Sequence, residues 1–247
     1  MSEENISDVI WATKEEDKKL FPDRIWFKVY YIVYPLSVWF AKRGVKPNNI
    51  TLLMLPSALI AASLFYCGNI ITTVVGAFVI QLFQIFDYSD GKVARATNQK
   101  SKYGKELDFL MHVVCHPIVF LSFSGLLFMT SSLDRHFIWI IVMSGAIVEC
   151  SIRSLKNLVD AMDSKCISNT TSSYQSRNTF LFVVDSIFNG IISFPCFMSI
   201  LPFVAIIDSV FKFDFSLTLI FVLIQVSYNF LYLLRMVLSV LRRCLKG

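Results

Sequence analysis

Long apolar stretches alternate with short polar ones along this 247-residue chain. The apolar runs lie near residues 50–68, 70–90, 106–130, 136–157, 181–207 and 215–239. Each approaches the ~20 residues a helix needs to cross a bilayer, so the pattern predicts six membrane-spanning helices. Residues 22–44 differ: aromatics mix there with Arg24, Lys28, Lys42 and Arg43, and Pro35 interrupts the stretch. That mixture predicts an amphipathic helix lying on the membrane surface; the alternative is a seventh span. Residues 1–20 are polar, without the apolar core of a cleavable signal peptide, and are expected to lack stable structure. Residues 162–179 predict a polar loop. The expected class is therefore an all-α integral membrane protein with six transmembrane helices. Residues 1–46 form an N-terminal arm that includes the amphipathic helix, and residues 47–247 form one membrane domain.

Composition supports this reading. The chain is 55% hydrophobic and only 17% charged, below what a soluble domain carries. Charge then orients the spans. Of 23 Lys and Arg, 21 fall in residues 1–46, 92–105, 153–177 and the tail from 235; the other connections hold only Arg135 and Lys212. The positive-inside rule places the termini and the polar turn near residue 99 in the cytoplasm. The net charge of +5 then reflects orientation and contact with anionic membrane lipids, not nucleic acid. Six cysteines form no C-x2-C pair and read as small packing residues, not a disulfide framework or zinc site.

The chemistry concentrates around that turn. If residues 70–130 form a helical hairpin turning near Gln99, Asp90 and Asp108 lie at equal depth on the two arms, each nine residues away. Asp87 and His112 lie about one turn deeper. Asp87 and Asp90 are i, i+3, and Asp108 and His112 are i, i+4, so each pair shares a helix face. Four ligand-type side chains are thus expected to converge near hydrocarbon, where acids are costly unless paired or metal-bound. A hard divalent cation, Mg²⁺ or Mn²⁺, relieves their repulsion. Gly91 and Gly104 leave room for close approach of a ligand to the backbone, and Arg95 offers a planar fork for phosphate. The plainer alternative, a structural hairpin with Asp–Arg pairs, needs neither both glycines nor three acids.

Asp87, Asp90, Gly91, Ala94, Arg95, Gly104 and Asp108 fall in register with the signature D-x2-D-G-x2-A-R-x8-G-x3-D-x3-D. The chain thereby resembles the CDP-alcohol phosphotransferase family, also called CDP-alcohol phosphatidyltransferases. Pro47, Asn48 and Thr51 fit the P-N-x-x-T that often opens the first span in that family. The resemblance implies a homodimeric membrane transferase with a cytoplasmic cavity. It would move a substituted phosphate (or phosphonate) from a CMP-activated donor to an alcohol or lipid acceptor, releasing CMP. It implies that Asp87, Asp90 and Asp108 hold two metal ions. Gly91, Ala94, Arg95 and Gly104, with Asp87, would line the nucleotide site. Asn48 and Thr51 are expected to touch the nucleotide, although Asn48 could instead cap the first helix.

The last signature position should be aspartate and is His112. Imidazole, with a reference pKa near ~6.5, suits general-base work at neutral pH, and it can also ligate Mn²⁺. Two other readings stay open: a disabled site in a nucleotide-binding but non-catalytic membrane protein, and a shifted donor or acceptor. A cation transporter is a further rival, although acids grouped with glycines at one face do not form a path. His116 reads as a core histidine with a backbone partner. Glu149 and Arg153 can pair at i, i+4; Arg153, Lys156 and Arg177 are candidates for binding an anionic acceptor. Asp185 and Asn189 could line the same cavity, while Gln225 and Asn229 read as packing groups.

Overall fold

The computed structural model describes residues 6–13, 31–99, 101–166 and 194–244, and every extended regular element in them is helical. Helix α1 covers residues 6–13. It is followed by α2 (Val33–Lys42), α3 (Pro47–Leu52), α4 (Met54–Tyr66), α5 (Ile70–Ala96), α6 (Gly104–Thr130), α7 (Arg135–Cys166), α8 (Phe194–Phe211) and α9 (Leu217–Cys244). Five stretches are long and apolar enough to cross a membrane: Pro47–Tyr66, Ile70–Ala96, Gly104–Thr130, Arg135–Val159 and Leu217–Arg242. Cys196–Phe211 is a shorter apolar helix. The chain is an all-α, multi-pass integral membrane protein. Of the expected fifth span, residues 181–193 lie outside the described residues, as do residues 167–179 of the expected loop.

Local chemistry sets the helix ends. The first span is two helices meeting at Leu53. Pro56 has no N–H for the Leu52 carbonyl four residues back, so the ladder is interrupted there. Helix α7 runs to Cys166, past the expected end near 157. Its last turns are polar, and polarity ends a membrane span without ending a helix. Pro35 does not break α2; it falls in the helix's first turn, where a missing N–H costs nothing. Ten residues at 1.5 Å each give α2 a length of about 15 Å, half of what a span needs. The expected amphipathic segment from residue 22 to 30 lies outside the described residues.

Helix α2 packs on the signature-bearing end of α5 through a small second core of Ile10, Tyr34, Phe40, Ala41, Ile50, Val93 and Ala96. Trp11 stacks on Tyr34 at 5.4 Å, and the Lys92 ammonium sits 4.8 Å over the same ring.

Helix α6 lies at the centre, against α3, α4, α7, α8 and α9. Its Phe120 and Phe123 meet Phe197 of α8 at 5.9 and 5.7 Å between ring centroids. In lipid, such close packing holds helices together in place of burial from water. Where α4 turns into α5, Gly68 adopts φ +60°, and a Cβ there would come 2.7 Å from the Gly125 carbonyl oxygen of α6. Far from the signature, the Asp208 carboxylate accepts from the Thr218 N–H at 2.9 Å, its hydroxyl at 2.8 Å and Ser216 Oγ at 3.0 Å. This carboxylate of α8 thereby caps the start of α9.

Candidate active site

The site is built by the α5–α6 hairpin. Helix α5 ends where the Thr97 N–H and hydroxyl both donate to the Val93 carbonyl, at 2.9 and 2.8 Å. Asn98, at φ 53°, reverses the chain, a conformation asparagine tolerates better than most residues. Helix α6 starts at Gly104. Asp87 lies nine residues inside the end of α5 and His112 eight inside the start of α6, so the two arrive at similar depth, about 12–14 Å from their helix ends.

His112 Nε2 lies 3.1 Å from Asp87 Oδ1 and 3.4 Å from Asp108 Oδ1. Ligand atoms of these three residues all lie within 4.8 Å of one another. Asp108 Oδ1 is buried and has no hydrogen-bond partner. Two carboxylates and an imidazole nitrogen therefore face a shared point, with an orphaned oxygen among them. That donor set fits a divalent cation of the Mg²⁺ or Mn²⁺ kind.

Asp90 is placed differently from the expected layer opposite Asp108. Its Oδ2 accepts the Thr51 hydroxyl at 2.5 Å, and its other oxygen turns back to the Gly91 N–H. It stands at the same end of α5 but outside the group of three. Thr51 is buried and anchors this carboxylate. Asn48 is not a helix cap: α3 is capped at Lys46 without a side-chain bond, and Asn48 Oδ1 accepts from Ser101 Oγ at 3.2 Å. That bond ties the hairpin turn to the first span beside Gly104. Ala94 is half-buried and Arg95 exposed on the same face-bearing end of α5.

Behind His112 lies a polar group that the spacing did not reveal. His116 has side-chain partners in place of the expected backbone one: His112 Nδ1 at 3.0 Å and Glu149 Oε1 at 3.1 Å. Glu149 does pair with Arg153, at 3.4 Å, and Asn229 reaches the same carboxylate from α9 at 3.3 Å. The available signal was Glu149 itself, since an acid inside a span needs partners. Lys156 is exposed further along α7. Arg177, Asp185 and Asn189 lie outside the described residues.

A sequence profile described as CDP-alcohol phosphatidyltransferase matches residues 45–239, most of the chain and all of this hairpin. The chain belongs to the CDP-alcohol phosphatidyltransferase family. It is also similar to a phosphatidylinositol phosphate synthase of Streptomyces avermitilis, 30% identical over 93 residues. That match takes in 38% of this chain and spans only 37% of the relative's length. For a CDP-alcohol phosphatidyltransferase, the departure at His112 falls on an atom that the fold aims directly at the two carboxylates.

Proposed function

We propose that this chain is a transferase. It moves a substituted phosphate group from a CMP-activated donor, such as a CDP-alcohol, to an alcohol or lipid acceptor, releasing CMP in phospholipid or glycan head-group synthesis. Family membership supports the reaction class. The observation that carries the reading is the approach of His112 Nε2 to both Asp87 and Asp108, within 3.4 Å. The orientation in which this site faces the cytoplasm is supported by the basic residues around it.

Asp87 and Asp108, with His112 beside them at rest, would hold a divalent cation, and Asp90 would serve a second. Such ions, when bound, neutralise the donor's pyrophosphate and polarise its phosphoryl oxygens. Gly91, Ala94, Arg95 and Gly104 line the nucleotide's place, with Asn48 and Thr51 at its edge. A lone pair serves one partner at a time, so in turnover we assign His112 to the proton. The acceptor oxygen attacks the phosphorus distal to cytidine, and Nε2 takes the hydroxyl proton. The bond from that phosphorus to the bridging oxygen breaks, and CMP leaves with the electron pair. We further propose that the protein acts as a homodimer, with residues 47–247 as its catalytic membrane domain.

The test is CMP release by the purified protein with candidate donors and acceptors, alongside His112→Ala and His112→Asp. A working base gives an active native protein, and His112→Ala loses ~10²–10⁴-fold in rate while still binding CMP. An inactive native protein that gains turnover in His112→Asp establishes the non-catalytic reading instead.

A further inference from the structure

A row of side chains on α5 leads from the site to the outside of the bundle. Asp87, Gln84, Gln81 and Phe78 follow one another at intervals of three residues. Each interval goes ~4.5 Å deeper into the bilayer and turns about 60° around the helix. The row thus winds from the site-facing side to the side that meets lipid, where Phe78 is 69% exposed. Its two amides are tied to α8. Gln84 Nε2 donates to Ser199 Oγ at 2.5 Å, and Ser199 Oγ donates to Gln81 Oε1 at 3.4 Å. Four residues on from Ser199, Phe203 is exposed like Phe78. Ser199 is buried, but Gln81 and Gln84 are only half-buried. Gln81 donates one amide hydrogen to the Ala77 carbonyl at 3.3 Å, and its second meets no partner among the described residues. An unpaired amide N–H in mid-span is costly in hydrocarbon. Polar contact between helices does not account for it, because such contacts close between the helices, whereas this edge stays open.

We propose that Gln84 and Gln81, steadied by Ser199, form a subsite for the head-to-tail junction of a lipid substrate. Its ester carbonyl oxygens accept from the amides, its acyl chains leave the bundle past Phe78 and Phe203, and its reacting group lies at Asp87. The order of the row matches the order of groups in such a molecule: charged at the site, polar and uncharged next, apolar last. The ester carbonyls of a glycerolipid stand a few bonds from the phosphorus or hydroxyl that reacts, which suits amides one and two intervals from Asp87. The proposal rests on the transferase reading and narrows it, since one partner is then a glycerolipid that enters sideways from the bilayer. A CMP-activated diacylglycerol donor and a diacylglycerol acceptor carry the same ester chemistry.

Ether lipids lack the carbonyls and otherwise keep the shape. Native mass spectrometry of the full-length protein gives its affinity for four probes: CDP-diacylglycerol and its dialkyl ether, and diacylglycerol and its dialkyl ether. The subsite predicts that the protein binds the ester member of one pair about fivefold more tightly, the worth of one hydrogen bond. Preference within the CDP pair marks the donor as the lipid; preference within the other pair marks the acceptor. Gln81→Leu, similar in size but without donors, should bind ester and ether alike, and Ser199→Ala should reduce the preference. Should Gln81→Leu not fold, Ser199→Ala carries the comparison. Equal binding of ester and ether by the parent in both pairs overturns the proposal. So does a Gln81→Leu that weakens both members by the same factor, as a packing role requires. Affinity is read without turnover, so the two readings fail separately. An ester preference lost in Gln81→Leu, with no CMP release from any donor, sinks the transferase reading and leaves the subsite. CMP release with no ester preference sinks the subsite alone.

Discussion

Gly91 and Gly104 share a signature but not a reason for being glycine. A Cβ on Gly104 would come 2.9 Å from Ser101 Oγ, so the chain itself crowds that position. On Gly91, among the described residues, it would meet only the Arg95 guanidinium, at 3.6 Å, an ordinary contact. None of those residues demands glycine at 91, and alanine is favoured in a helix interior by about 0.5–1 kcal/mol. Gly91→Ala should therefore hold or raise Tm while weakening CMP binding roughly tenfold, the size of a modest steric penalty. Unchanged CMP affinity in a calorimetric titration would remove Gly91 from the nucleotide site. The meeting of Asp87 with His112 was legible because counting from the turn fixes depth. The turning of Asp90 to Thr51 was not, because spacing gives a helix face but not the direction a carboxylate takes.

At the scale of elements, the hairpin owes its register to neighbours that press on α6. Gly125 abuts the Phe65 and Tyr66 carbonyls at the end of α4, and a side chain there would strike backbone, which cannot yield. Gly125→Val should cost about 1–3 kcal/mol, as overpacking does, and lower the melting temperature measured in detergent. A variant as stable as the parent would show that α4 and α6 are not closely packed there. The existence of these helices could be read from runs of apolar residues; their ends could not. Helix α7 overran its hydropathy because hydropathy reports the membrane, whereas helix ends follow backbone hydrogen bonds. The break at Leu53 has a sequence cause, Pro56, that only an accounting of carbonyl partners brings out.

For the whole molecule, the 21-to-2 division of Lys and Arg predicts one orientation. Single cysteines introduced at 99 and 170 should resist impermeant labelling in sealed cells, and those at 69, 134 and 213 should react. Labelling at 99 would reverse the topology. The architecture was legible because six long apolar runs admit few arrangements. The contact of His116 with Glu149 was not, because it joins residues 33 apart that no periodicity links. The placement of charge also bears on how the protein is made. Residues 70–86 and 113–130 contain no Asp, Glu, Lys or Arg; the acids of the hairpin sit in the last three turns of α5 and the first two of α6. Each of these helices can thus enter the bilayer on its own apolar stretch, its acids still at the water boundary. On that route the site would be completed after insertion, when the helices that contact α6 close laterally around it. A chain defective at Gly125 would pass the translocation machinery with normal topology and fail only at assembly, leaving an inserted protein that cannot bind CMP.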